Sequence, residues 1–291
     1  MKGLAATNLS YAGSAQSRGG RALIRLMENA TGRRALIRRA RGYAQDLAAG
    51  GTVFDVMVAR YGLGLDLAGG ALEDIPRTGP LVVVANHPYG ILDGLMMGHL
   101  LGQRRADFRI LAHSVFAHAL EVRGQVLPVS FDVGKAAQAL NVQTRRAALG
   151  HLGQGGAIAV FPGGTVSTGA RPFAQPMDPV WRSFTARMIA KSQATVLPIY
   201  FDGHTSRMFQ IASHLHMTLR MGLLIREFRS RVDAPVRVVI GKPLAHGVLA
   251  PLQTDAKATM DFLRKATYDL APEPLKSFEA GYDFEDRRTR R

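Results

Sequence analysis

The stretch that decides the fold is Leu81-Val82-Val83-Val84-Ala85-Asn86-His87-Pro88-Tyr89-Gly90-Ile91-Leu92-Asp93. Five apolar residues stand behind the turn formers Thr78-Gly79-Pro80, too few for a helix and without polar alternation. That is how a strand buried on both faces reads. A Pro-Tyr-Gly turn follows, and then residues 93–101 at helical length. The pattern recurs along the chain: residues 108–112, 126–131, 157–161, 196–201 and 236–240 are similar apolar runs. Residues 53–61, 136–152, 179–192, 214–231 and 255–270 read as helices between and beside them. Strands separated by helices predict the α/β class, with a mostly buried sheet covered by helices on both faces.

Outward from this centre, residues 51–271 are expected to form one domain, with 1–50 as a helical extension and 272–291 as a charged tail. Residues 1–20 read as a flexible leader without the apolar centre of a signal peptide. Between Arg18 and Arg41 lie eight arginines and one glutamate. Leu36, Ile37, Ala40, Tyr43, Ala44 and Leu47 fall at helical spacing among Arg33, Arg34, Arg38, Arg39 and Arg41, predicting one basic amphipathic helix that ends near Gly50-Gly51. The tail turns from acidic to basic and ends in Arg287, Arg288, Arg290 and Arg291.

The 291 residues carry 37 Lys+Arg against 22 Asp+Glu, a net charge of +15, and no cysteine. The charge calls for an anionic partner: nucleic acid, an anionic membrane or an acidic protein. The absent cysteine excludes disulfides, thiolate metal sites and a cysteine nucleophile. No run approaches the roughly 20 apolar residues of a membrane span; the best, residues 81–101, is interrupted by Asn86, His87, Pro88, Gly90, Asp93 and His99. A cytoplasmic protein, peripheral on the inner face of the cell membrane, is expected. Basic residues without interleaved aromatics for base stacking give no expectation of nucleic-acid binding.

Three loops follow strand candidates, where reactive groups gather in α/β folds. In Asn86-His87-Pro88-Tyr89-Gly90-Ile91-Leu92-Asp93, a turn histidine with a nearby carboxylate suits general-base chemistry. Asp93 suits the role of helix N-cap equally well. The loop Phe161-Pro162-Gly163-Gly164-Thr165-Val166-Ser167-Thr168-Gly169 offers backbone N–H groups for an anion or oxyanion, but no lysine of a nucleotide-binding loop. The third is Pro198-Ile199-Tyr200-Phe201-Asp202-Gly203-His204. His113/His118 and His214/His216 have pairable spacings but no carboxylate set, so neither a metal site nor a cofactor is expected.

Together, in this order and spacing, the three loops resemble the glycerolipid acyltransferases, the lysophosphatidic-acid acyltransferase-like superfamily, and within it the hemolysin-like or lyso-ornithine-lipid branch. The resemblance covers residues 50–245 and implies a mixed sheet of the glycerol-3-phosphate acyltransferase type. It implies His87 as the general base on a lyso-lipid hydroxyl and Asp93 as its orienting partner. It also implies a thioester donor, acyl carrier protein or coenzyme A, and substrate contacts from Asn86, Gly163, Gly164, Thr165 and Pro198, with the two glycine amides facing the oxyanion. Five residues separate His87 from Asp93 where the main family pattern has four. Gly163 and Val166 replace the acid and the base of the usual Phe-Pro-Glu-Gly-Thr-Arg, and residues 126–131 lack the arginine that clamps the acceptor phosphate. The resemblance therefore points to a lyso-aminolipid such as lyso-ornithine lipid, with 1-acylglycerol-3-phosphate as the alternative acceptor. Arg171, Arg182 and Arg207 are candidate substitutes for the missing clamp. The basic helix at 214–231 suits a membrane or an acidic carrier protein.

Overall fold

The computed structural model describes residues 9–15, 17–113, 120–122, 124–130, 134–252 and 254–284. Three short helices come first, α1 (Arg18–Thr31), α2 (Arg33–Arg39) and α3 (Tyr43–Ala48). The single basic helix expected up to Gly50 is therefore divided. Gly32 and Gly42 hold φ of +131° and +82°, conformations no helix continues through. Leu36, Ala40 and Tyr43 still reach the core, because each short helix keeps one apolar side inward. Residues 9–15, which the sequence reads as leader, also pack down. Glu28, fully buried on α1, accepts from the Ser10 hydroxyl at 2.6 Å and the Tyr11 N–H at 2.5 Å.

The rest of the chain runs α4 (Val53–Arg60), β1 (Gly64–Gly69), β2 (Leu81–Ala85), α5 (Ile91–Gly102), β3 (Phe108–His113), β4 (Val126–Val129) and α6 (Lys135–Gly153). It continues through β5 (Ala157–Val160), the two-residue strands β6 (Thr168–Gly169) and β7 (Pro176–Met177), α7 (Phe184–Ser192) and β8 (Thr195–Phe201). Then come α8 (Arg207–Leu215), α9 (Met217–Arg229), β9 (Pro235–Ile240), α10 (His246–Leu249) and α11 (Ala256–Tyr268). Seven strands form one sheet in the order β1-β9-β8-β2-β5-β3-β4, all parallel to their neighbours except the antiparallel β8/β9 pair, so the sheet is mixed. β6 and β7 make a separate small hairpin.

Alternation along the strands sorts the core into two layers. Leu81, Val83 and Ala85 of β2 face one side with Phe54, Met96, Leu197 and Phe228, while Val82 and Val84 face the other with Leu152, Ile189 and Leu263. Both faces are covered, which is why all five β2 residues are buried and why the strand reads as an unbroken apolar run. The helix expected at 214–231 begins only at Met217 as α9, after His216 in an extended conformation at φ −159°, and α8, which ends at Leu215, is a further helix that was not expected. The helix expected at 179–192 starts only at Phe184. Of the calls on chemistry, His118, Phe131 and the terminal arginines lie outside the described residues. Among the described residues no helix is long and apolar enough to cross a membrane.

Candidate active site

β2 is central, with β5 on one side and β8 on the other, and its C-terminal end delivers the Asn86-His87 loop between their two loops. Asn86 prolongs the sheet. Its side-chain N–H donates to the Phe201 carbonyl at 2.9 Å and its carbonyl oxygen accepts from Phe201 N–H at 2.7 Å. The Asn86 amide is thus engaged in holding β2 to β8, level with His87. Gly90 then turns the chain at φ +77°; a Cβ there would stand 3.3 Å from a Val166 methyl. α5 starts one residue later, which places Asp93 in its first turn.

Asp93 is fully buried and reaches back over the turn. Its Oδ2 accepts from Tyr89 N–H at 2.8 Å and Gly90 N–H at 3.0 Å. The same oxygen lies 3.0 Å from His87 Nδ1, but the contact is not aligned for a well-formed hydrogen bond, and among the described residues Oδ1 accepts from no protein group. Burial raises the Asp93 pKa, and His87 together with the two backbone N–H groups only partly offsets that. Gly90, and not Asp93 as the sequence allowed, is the N-cap; Asp93, third residue of α5, accepts from the Gly90 N–H and also faces the histidine. The His87 ring stacks on Phe161 at 4.3 Å and keeps 18% of its side chain exposed, so the pair is shielded but reachable.

The Gly-rich loop after β5 is tied to this histidine through its backbone. Ser167 N–H donates to the His87 carbonyl at 2.8 Å. Asp178, fully buried, holds the other side: its Oδ1 accepts from His87 N–H at 3.1 Å and the Ser167 hydroxyl at 2.5 Å, and its Oδ2 from Trp181 Nε1 at 2.9 Å. Gly163 lies against this carboxylate; a Cβ at 163 would stand 3.1 Å from the Asp178 Cβ and 3.3 Å from Oδ2. A carboxylate from fifteen residues further along the chain is thus brought against Gly163. Gly164 N–H is engaged with the Phe161 carbonyl at 2.9 Å, whereas Gly163 N–H meets no protein acceptor among the described residues.

Thr165 faces an arginine that sequence reasoning passed over as one of several in a basic helix. Arg220 of α9 is 1% exposed and donates to Thr165 and Thr168 hydroxyls at 3.0 and 2.7 Å, to the Val166 carbonyl at 2.7 Å and to the Ser213 hydroxyl at 2.9 Å. Phe209 and Phe284 cover its guanidinium at 4.9 and 4.1 Å. With only neutral acceptors around it, burial lowers its pKa to about 9. The candidate clamps are placed differently. Arg171 pairs with Glu279 at 3.5 Å, Arg182 is tied to the loop by its backbone N–H, which donates to the Pro162 carbonyl at 3.1 Å, and Arg207 is exposed at the start of α8. Pro198 sits inside β8 opposite Val84 and packs against Gly241, within the sheet rather than in the loop cluster. The structure thus gathers His87, Asp93, Gly163, Gly164 and Thr165 into one cluster, with Asn86 as its anchor to the sheet.

The sequence matches the model of a family described as acyltransferase over residues 54–279. The chain is 22% identical over 206 residues to a lyso-glycine lipid O-acyltransferase of Phocaeicola vulgatus, an alignment that spans 68% of this chain and 71% of that protein. It is also similar to the crystal structure of the 1-acyl-sn-glycerophosphate (LPA) acyltransferase PlsC of Thermotoga maritima, at 16% identity and a TM-score of 0.44, over 91% of this chain and 87% of that one.

Proposed function

Because this chain belongs to the acyltransferase family, we propose that it moves a fatty acyl group from a thioester, acyl carrier protein or coenzyme A, to the hydroxyl of a lyso-lipid at the inner face of the cell membrane. The observation that carries the proposal is the His87–Asp93 pair: an imidazole 3.0 Å from a buried carboxylate, stacked on Phe161 and still reachable. Asp93 faces Nδ1 and so favours the tautomer that leaves Nε2 as the base. Nε2 takes the acceptor hydroxyl proton as that oxygen attacks the thioester carbonyl carbon. The C–O bond forms and a tetrahedral oxyanion results, for which Gly163 N–H, which meets no protein acceptor among the described residues, is a donor in the loop. Collapse breaks the C–S bond, and the departing thiolate takes the proton back from the imidazolium.

A thioester is already activated, so this chemistry runs without a covalent enzyme intermediate. The acceptor is a lyso-aminolipid, of which lyso-ornithine lipid and the lyso-glycine lipid named in the relative's title are examples. Supporting this, the resemblance puts Gly163 and Val166 where the family pattern has an acid and a base, residues 126–131 carry no arginine, and a phosphate site without a charged fork is weak. Incubating the purified protein with labelled acyl carrier protein or acyl-coenzyme A and a panel of lyso-lipids, with products identified by mass, tests the proposal. His87→Ala and Asp93→Ala are expected to abolish transfer while the protein stays folded. Undiminished transfer in both would overturn it, and acylation of 1-acylglycerol-3-phosphate alone would replace the acceptor.

A further inference from the structure

Asp178 stands outside the loop that holds His87 and Asp93, yet it touches both stretches of backbone that the proposed reaction uses. It follows β7 directly and is fully buried. Among the described residues three groups donate to its carboxylate, and all are neutral: His87 N–H, the Ser167 hydroxyl and Trp181 Nε1. A carboxylate buried among neutral donors is costly, and an apolar side chain of similar volume would fill the place without that cost. What only an acceptor can do there is join the loop after β2 to the loop after β5. The residue is itself held fast. Its N–H donates to the Tyr268 hydroxyl of α11 at 2.8 Å, and its carbonyl accepts from Gly281 N–H at 2.8 Å and from Arg264 at 3.2 Å. Arg264 also donates to the carbonyls of Phe278 and Glu279, so part of the segment expected to be a charged tail braces Asp178.

Gly163 meets the same carboxylate from another side. Its φ lies outside the left-handed region, so the backbone itself would accept a side chain. A Cβ at 163 would instead stand 3.1 to 3.3 Å from Cβ, Cγ and Oδ2 of Asp178, and that carboxylate keeps the position bare. We propose that Asp178 is a positioning residue for acyl transfer, fixing the His87 backbone and the Gly163 turn at one spacing. The role rests on the acyl-transfer reading above and adds a second carboxylate to it. Asp93 faces the imidazole within its own loop, whereas Asp178 sets that loop against the one that carries the oxyanion donor. The base and Gly163 N–H must serve one reacting centre at once, and misplacement by 1 Å costs about 100-fold in rate. Asp178 acts through backbone, so its loss should fall on kcat and not on KM.

Asp178→Asn tests this, because an amide of the same shape cannot accept on both sides. With its carbonyl on His87 N–H and the Ser167 hydroxyl, its NH2 faces the Trp181 N–H, donor against donor; turned over, it opposes His87 N–H. Steady-state kinetics use palmitoyl-acyl carrier protein or palmitoyl-coenzyme A with lyso-glycine or lyso-ornithine lipid, below the unfolding temperature of each variant. Asp178→Asn should lower kcat about 10- to 100-fold with KM within about twofold of wild type. Adding Trp181→Phe removes the opposed donor, so the double variant should return kcat to within about threefold of wild type. A merely structural carboxylate would lower the unfolding temperature and leave the kcat of folded protein unchanged. Should Asp178→Asn not fold, Gly163→Ala decides. It keeps every donor and acceptor, presses on the carboxylate by a few tenths of an ångström and should lower kcat about fourfold. Wild-type kcat in the deciding variant, or a loss confined to KM, overturns the proposal and leaves the His87 reading standing. Wild-type transfer by His87→Ala, or none by the wild-type protein, overturns that reading and this role with it.

Discussion

At the residue scale, Asp93 is a carboxylate whose position costs stability. It is fully buried, Oδ1 lacks a partner among the described residues, and burial raises its pKa above the ordinary value. In the unfolded chain the group ionises near its usual pKa of about 3.9, and in the folded protein only at higher pH. Between those two values the unfolded state binds fewer protons, so stability falls as pH rises, and above the folded pKa the whole penalty is present. Asp93→Asn keeps an oxygen for the Tyr89 and Gly90 N–H groups and removes the charge. The variant should unfold at the same temperature as wild type or a higher one at neutral pH, without the wild-type loss of stability on going from acid to neutral. Its acyl transfer should fall by at least about 100-fold, the usual contribution of positioned acid–base groups. Thermal unfolding across pH together with a transfer assay checks both halves, and a marked drop in neutral stability would show that Asp93 is structural. His87 and Asp93 were legible because they share one loop. Asp178 was not, since 91 residues separate it from the backbone N–H it accepts from, and nothing local marks it.

At the element scale, packing overrules helix propensity in α5. Gly98 lies where α5 crosses α4, and a Cβ there would sit 2.3 to 2.5 Å from three carbons of the Phe54 ring. Phe54 is itself buried and packs against the tilted Phe108 ring at 5.6 Å, so the ring has nowhere to retreat. Alanine in place of mid-helix glycine gains about 1 kcal/mol of propensity, whereas overpacking a filled core costs about 1–3 kcal/mol. Gly98→Ala should lower stability by about 1 kcal/mol, read as a shifted urea midpoint at an unchanged slope; a stabilised variant would show that α4 moves freely. The elements that the sequence made legible are those buried on both faces, such as β2 and, after Thr195, β8, whose side chains are almost all apolar. β1 was missed because Gly64-Leu65-Asp66-Leu67-Ala68-Gly69 is an edge strand flanked by glycines, and β6 and β7 are too short to show a period. α8 was missed because its first residues follow directly on the polar loop after β8, and the break at His216 was missed because the apolar spacing of α9 reads back to His214.

At the scale of the whole molecule, the two ends of the sheet do different work. His87 and the loops around it follow the C-terminal ends of β2, β5 and β8, whereas Arg105 ties together the segments that enter the sheet from the other end. Its side chain, 1% exposed, donates to the carbonyls of Pro76 at 3.2 Å, Gly79 at 3.0 Å and Gly155 at 2.7 Å, just ahead of β2 and β5. Nε and Nη2 also grip both oxygens of Asp107, next to β3, and that contact holds the Asp107 carboxyl below its usual pKa. Asp107 is half-exposed, so its ion pair is screened and adds little. The three carbonyls matter more, because removing the guanidinium leaves oxygens near the sheet without their donor. Arg105→Met keeps the apolar stem, so the loss should come from those hydrogen bonds and amount to about 3 kcal/mol. The site lies at the opposite end of the same strands, so transfer by the folded fraction should stay at the wild-type rate. Urea unfolding and a transfer assay below the variant's melting temperature separate the two effects. A lowered rate with unchanged stability would mean that strand register couples the two ends, and that the sheet transmits strain from Arg105 to His87 instead of isolating them.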